Sequence, residues 1–301
     1  MEDINEFLKE ETRSGYHISS KIKKVWKCQL EMLSLFKEVC DRNGLRFWLD
    51  SGTLLGAVRH RGYIPWDDDI DVIMLRNDYD RLVSIAQDEF KSPYVFQTAY
   101  TEDNFVRGHA QIRDVRTTGI IPSEINKSFN QGIFIDVFVL DYIPDDETEY
   151  LRQEKRAGHF RYRLELAATP LRDFRFNLSR LFKSIRYKAM YPTRKKFNEL
   201  YSAYEDVFRQ NNAENCTHVA TSAWKYRSFK RSSRFYEGSV MMRFEYLEMP
   251  VPSGYDELLT LLYGDYMKPV KAPNQHGEVI FDPDTPAEAT IRQLRKKNRY
   301  E

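Results

Sequence analysis

The sequence predicts an α+β fold, a mixed β-sheet flanked by helices, with an all-helical insertion. Three observations carry this. Apolar residues recur at a helical period over residues 20–43, at a period of two over residues 69–74, and in a nearly unbroken run over residues 132–140. From Asp145 to about residue 210 the pattern is helical, broken near Thr169-Pro170 and Tyr191-Pro192. The implied organisation is a core over residues 1–144, a helical and basic insertion over 145–215, and a segment over 216–301 that completes the core.

Taken in order, Val25, Leu30, Leu33, Phe36, Val39 and Cys40 form one helical stripe that stops at Gly44, a residue suited to the left-handed position after a helix. Residues 45–49 read as a short strand, after which Ser51-Gly52-Thr53 opens a helical turn. Ile70, Val72 and Met74 alternate with Asp69, Asp71 and Ile73, which predicts a strand. Asn77 is a candidate cap for the next helix. Two further strands are expected over 94–99 and 109–117. The run 132–140 reads as a strand covered on both faces, its one charge being Asp136. A hairpin is expected over 235–251, a helix after Ser253-Gly254, and a mostly extended, proline-containing tail from Lys268.

A hydrophobic content of 42% with 14% aromatic residues excludes a disordered chain. No run approaches the roughly 18 apolar residues that a membrane-spanning helix needs, and Met1-Glu2-Asp3-Ile4-Asn5 does not begin a secretory leader. A cytoplasmic location is expected, with Cys28, Cys40 and Cys216 as buried thiols. Net charge is +1, yet residues 152–196 hold 14 Lys and Arg against Glu154, Glu165 and Asp173. That imbalance fits either an anionic partner, a nucleic acid or an acidic membrane surface, or the solvated faces of long helices. Phe174, Phe176, Leu181, Phe182, Ile185 and Tyr187 interleave with these arginines.

The chemistry-bearing feature is Asp67-Asp68-Asp69-Ile70-Asp71. Residues two apart on a strand share a face, so Asp67, Asp69 and Asp71 would present carboxylates in a row if the strand begins that early. Packing negative charges together is costly unless a cation neutralises them. An EF-hand loop also starts Asp-x-Asp-x-Asp, but its obligatory Gly is here Val72 and its bidentate Glu is Asp78. A small-residue turn into a helix at Ser51, Gly52 and Thr53 can hold a phosphate on backbone N–H groups. Arg59 and His60 are candidates for the same anion, Trp66 and Tyr63 for a quaternary ammonium, and His276 in the tail is a weaker candidate.

The stretch Phe47-Trp48-Leu49-Asp50-Ser51-Gly52-Thr53-Leu54-Leu55-Gly56-Ala57-Val58-Arg59-His60-Arg61-Gly62-Tyr63-Ile64-Pro65-Trp66-Asp67-Asp68-Asp69-Ile70-Asp71-Val72 resembles the signature of the LicD family, bacterial phosphocholine transferases related to the fukutin group. The segments around Phe134-Ile135-Asp136-Val137-Phe138 and Tyr263-Gly264-Asp265-Tyr266-Met267 are similar to it as well. The resemblance implies a nucleotidyltransferase-like fold and transfer of phosphocholine from CDP-choline to a sugar hydroxyl of a glycan, such as teichoic acid or lipopolysaccharide, or its lipid-linked precursor. It implies Asp69 and Asp71 as paired ligands of Mg²⁺ or Mn²⁺, Asp67 as the preceding carboxylate, Asp136 as ligand or base, and Ser51 and Gly52 as the phosphate turn. Nucleic acid is not expected as a partner. Two rivals stand beside this reading: a nucleotidyltransferase that uses an NTP, and a non-catalytic, membrane-associated scaffold.

Overall fold

The computed structural model describes residues 4–174, 176–221, 230–270 and 279–297. The chain divides into two compact units, one formed by Met1–Phe96, Gln111–Phe138 and Phe235–Glu301, the other by Gln97–Ala110 and Val139–Arg234. Helix α1 (Ile4–Phe7) and the hairpin of β1 (Glu11–Arg13) with β2 (Tyr16–Ile18) come first. Elements of three or four residues leave no periodic trace, and the sequence does not announce them. Helix α2 (Ser20–Asn43) starts where the Ser19 hydroxyl accepts from the Ile22 N–H and ends at Gly44, with φ 59°. Val25, Trp26, Leu30, Leu33, Phe36, Val39 and Cys40 form its buried face.

Strand β3 (Trp48–Leu49) covers only part of the expected 45–49 interval and leads into α3 (Ser51–His60). Strand β4 (Asp71–Leu75) starts later than the alternation from Asp69 predicts, leaving Asp67 to Ile70 in irregular backbone. Helix α4 (Arg76–Glu89) is preceded by Leu75 at the cap position, without a side-chain cap, so Asn77 lies inside the helix. After β5 (Tyr94–Gln97), the single strand expected over 109–117 is two, β6 (Ala110–Asp114) and β7 (Thr118–Ile120). The chain turns between them because the Thr117 N–H and hydroxyl both donate to Asp114 O, at 3.2 and 2.8 Å. Strand β8 (Ile133–Ile143) is the expected buried run. In the first unit β3 pairs antiparallel with β4, β4 lies beside β8, and β6 pairs with both β8 and β5.

The second unit holds α5 (Glu147–Ala168), α6 (Leu178–Met190), α7 (Arg194–Arg209), β9 (His218–Thr221) and β10 (Arg231–Ser232). The end of β8 pairs antiparallel with β9, and β9 with β10. Among the described residues, 145–215 hold no strand, yet the compact unit is wider than that interval, taking in 97–110, the end of β8 and both later strands. Its core joins Ala157 and Leu164 of α5 to Leu200, Tyr201, Tyr204, Val207 and Phe208 of α7, with Ala99 packed among them. Arg194 locks this loop by donating to Ala99 O at 2.7 Å and Glu102 O at 2.9 Å.

Back in the first unit, β11 (Ser239–Phe244) and β12 (Leu247–Pro252) form the expected hairpin, followed by α8 (Tyr255–Tyr263) after Gly254. The tail corrects the extended reading. Strand β13 (Ile280–Asp282) pairs antiparallel with β7, and α9 (Ala287–Lys297) follows. Pro286 stands just ahead of that helix, where a missing N–H costs nothing, and its carbonyl accepts from Ala289 N–H at 3.0 Å. Cys40 and Cys216 are buried and Cys28 is half-buried, all as free thiols. Burial pushes the Cys28 thiol up to about 11. Among the described residues no helix is long and apolar enough to cross a membrane.

Candidate active site

Residues 67–70 lack regular structure, and side chains of α2 fix their course. Trp26 Nε1 donates to Asp67 O at 3.2 Å, and Gln29 Nε2 donates to Asp68 O at 2.7 Å and to Phe134 O at 3.3 Å. Tyr63 in turn donates its hydroxyl to Gln29 Oε1 at 2.9 Å, while its ring stacks on Trp26 with centroids 4.3 Å apart. With its carbonyls held from behind, the loop gathers its carboxylates: one oxygen from each of Asp67, Asp68 and Asp69 lies within 4.8 Å of the others. Asp136 N–H donates to Ile70 O at 2.9 Å, which sets the strand β8 acid beside the residue between Asp69 and Asp71.

The electrostatics follow from that gathering. Part of Asp69 remains open to solvent, but dense surrounding protein pushes its carboxyl well above the usual carboxylate range. The charges of Asp71, Asp67, Asp68 and Asp136 push it the same way. Asp67, Asp69, Asp71 and Asp136 are thus brought to one place, together with Asp68, which strand-face reasoning passed over. Because β4 begins only at Asp71, the loop rather than a strand face groups Asp67, Asp68 and Asp69. Hard oxygen donors whose mutual repulsion favours protonation fit a hard divalent cation such as Mg²⁺ or Mn²⁺.

The start of α3 is tied to the same place. Asp50 N–H donates to Asp71 O at 3.0 Å, and Asp71 N–H donates to Thr53 Oγ1 at 2.9 Å. Ser51 takes a left-handed φ of 49°. A Cβ added to Gly52 would stand 2.7 Å from Asp67 Oδ2, so only glycine lets the turn come this close to the acids. Backbone N–H groups of a first helical turn carry partial positive charge, which suits a phosphate next to a carboxylate-held cation. Thr53 is buried and serves as a brace for Asp71.

Asp136 is buried, and its Oδ1 accepts from Gln111 Nε2 at 2.7 Å. The other end of that amide accepts from Arg113 at 2.7 Å, and Arg113 also donates to Gly132 O at 2.7 Å beneath the Phe134 ring. Gln111 and Arg113 escaped the sequence reading. The only signal was their alternation with Ala110 and Ile112 along β6, which is uninformative once both faces are buried.

The chain is 30% identical over 245 residues to the lipopolysaccharide cholinephosphotransferase LicD of Haemophilus influenzae, a match that spans 79% of this chain and 88% of that protein. The chain belongs to the LicD family. The family profile described as LicD/FKTN/FKRP, nucleotidyltransferase domain, matches residues 44–177, which contain Asp67, Asp68, Asp69, Asp71 and Asp136. Human ribitol 5-phosphate transferase FKRP is 53% identical over 34 residues, spanning 11% of this chain and 7% of FKRP. Mouse ribitol-5-phosphate transferase FKTN is 31% identical over 86 residues, spanning 29% of this chain and 19% of FKTN.

In this LicD-family chain the remaining sequence candidates differ in burial and in partners. Arg59 and His60 end α3, roughly 12 Å along the axis from Ser51 at 1.5 Å per residue. Arg59 donates to Tyr266 O at 2.6 Å. Burial, then the charges of Arg59 and Arg13, lower the His60 pKa, which disfavours its cationic form. Tyr63 is buried between Trp26 and Phe244, which places it in the packing rather than on an open ammonium cage. Trp66 is half-exposed and meets Tyr16 edge-on, with centroids 6.2 Å apart. His276 lies outside the described residues.

Proposed function

We propose that this chain, a phosphotransferase by family, moves phosphocholine or a similar phospho-alcohol from a CDP-activated donor to a sugar hydroxyl of a cell-surface glycan or its lipid-linked precursor. The observation that carries this reading is the convergence of Asp67, Asp68, Asp69, Asp71 and Asp136 beside the glycine turn of α3. The cholinephosphotransferase name of the Haemophilus relative supports phosphocholine and a lipopolysaccharide acceptor, while the ribitol phosphate names of FKRP and FKTN keep the alcohol a class rather than one compound. A nucleotidyltransferase-like core is part of the proposal.

Asp67, Asp69, Asp71 and Asp136 would hold Mg²⁺ or Mn²⁺, whose chemistry is to neutralise charge on the phosphates and to acidify a hydroxyl. The backbone of Ser51 and Gly52 would seat the pyrophosphate of the donor. The acceptor oxygen attacks the phosphorus that carries the alcohol, the bond from that phosphorus to the CMP oxygen breaks, and CMP leaves with the electron pair. Asp136, held by Gln111, would take the hydroxyl proton. Positioning supplies much of the rate, since the groups that must meet are held on braced backbone.

The test is transfer with purified chain, Mg²⁺ and a deacylated lipopolysaccharide acceptor, offered CDP-choline, CDP-ethanolamine, CDP-glycerol and CDP-ribitol in turn. Release of CMP with label on the glycan for one donor is expected. Failure of all four with Mg²⁺ and with Mn²⁺ would remove the proposal.

A further inference from the structure

We infer that α6 is a membrane-surface helix, docking onto an anionic lipid bilayer through Leu178, Phe182 and Ile185. Its most deeply buried side chain is polar. Its inward side is Ser184, fully buried with its hydroxyl donating to Leu166 O at 2.8 Å, and Lys188, which donates to Ala167 O at 2.6 Å at the end of α5. Three large apolar side chains point the other way, Leu178 at 65% exposed, Phe182 at 68% and Ile185 at 45%, while Leu181 and Tyr187 are half-buried. At spacings of four and three the exposed three, continued by exposed Ala189, line one face of a helix. A globular helix normally turns such a face to the core, because burying each large apolar side chain is favourable.

Charge selects the occupant. Exposed Arg186 borders the apolar row, Lys183 stands further round the helix with its Nζ donating to Tyr162 Oη at 3.3 Å, and residues 152–196 carry 14 basic against three acidic side chains. Apolar side chains that sink roughly 5–10 Å into a headgroup layer, edged by Lys and Arg that meet lipid phosphates, describe a helix lying in a bilayer interface. An apolar protein groove would satisfy Phe182 and Ile185 but leave this positive excess unanswered. The surface lies within the second unit, and the inference holds whether or not the chain transfers phosphocholine.

Vesicle co-sedimentation of the full chain tests it. Against vesicles of phosphatidylcholine with roughly one-third phosphatidylglycerol, the chain should pellet, and binding should weaken at high salt and on pure phosphatidylcholine. Phe182→Ser with Ile185→Ser should cut the partition coefficient at least about tenfold, since each loses most of its apolar transfer energy. Lys183→Glu with Arg186→Glu should abolish the preference for anionic vesicles. Both pairs are exposed, and unchanged thermal unfolding checks that the fold survives. Absence of wild-type binding to anionic vesicles, or equal binding by the Phe182/Ile185 variant, overturns the inference. So does a concentration-dependent dimer that the serine variant disperses while no vesicle is bound, which would make this face a contact between copies.

Discussion

Gln111 donates its amide to Asp136 Oδ1 at 2.7 Å while Arg113 grips the opposite end of that amide at 2.7 Å. The guanidinium can only donate, so it fixes which end of Gln111 is the acceptor and turns the NH₂ toward Asp136. Gln111→Leu removes that hydrogen bond to Asp136 while leaving every acid in the sequence. Loss of such a supporting hydrogen bond typically costs about 10–100-fold in metal affinity or activity. The expected outcome is a fall of that size in kcat/KM for CMP release, measured beside thermal unfolding to show that the chain remains folded.

Asp69 gives a stability prediction with a definite sign. Its folded pKa lies well above the ordinary value of 3.8, so the folded chain binds that proton more tightly than the unfolded chain. The stabilisation this confers is present below the ordinary value and lost as pH rises through the folded one. Without divalent ions, the Asp69 contribution to stability should therefore decline as pH climbs out of the acid range toward neutral. Asp69→Asn removes the repulsion and should raise Tm at pH 7 in EDTA while abolishing transfer. Mg²⁺ should raise the Tm of the wild type and leave that of the variant unmoved.

Gly52→Ala separates the phosphate turn from the fold. The added methyl would meet Asp67 Oδ2 at 2.7 Å, an end that can swing away, so the backbone survives but the carboxylate is displaced. Activity should drop by at least about tenfold, because a misplacement of about 1 Å can cost on the order of a hundredfold, while Tm changes little. Parallel rate and melting measurements on the variant check this.

Gly132→Ala should do the reverse. A Cβ there would fall 2.0 Å from the Asp114 carbonyl oxygen, a backbone atom that cannot move without opening the turn between β6 and β7. Overpacking of this kind costs about 1–3 kcal/mol or more, and urea unfolding should report a loss in the upper part of that range.

Much of this was legible in the residues. The stripe of α2 with Gly44, the buried run of β8 and the position of Asp136 are set by period and by one charge among apolar neighbours. The acids were legible as a cluster, but not its makeup. Alternation grouped Asp67, Asp69 and Asp71, whereas the loop brings in Asp68, because hydrogen bonds from Trp26 and Gln29, roughly 40 positions earlier in the chain, decide the backbone path. Period also says that α6 is two-faced without saying which face is inward, and only the packing of Ser184 on Leu166 reveals that. The tail misled because Pro286 punctuates a helix start as well as an extended segment.

The most direct test is a calorimetric titration of Mn²⁺ into the purified chain in the presence of CDP-choline. Saturable binding is predicted for the wild type, lost when Asp69 and Asp71 are both changed to Asn and weakened by Asp136→Asn. Equal binding by the wild type and the double variant, or no binding by either, would contradict a carboxylate-held cation at the heart of this site.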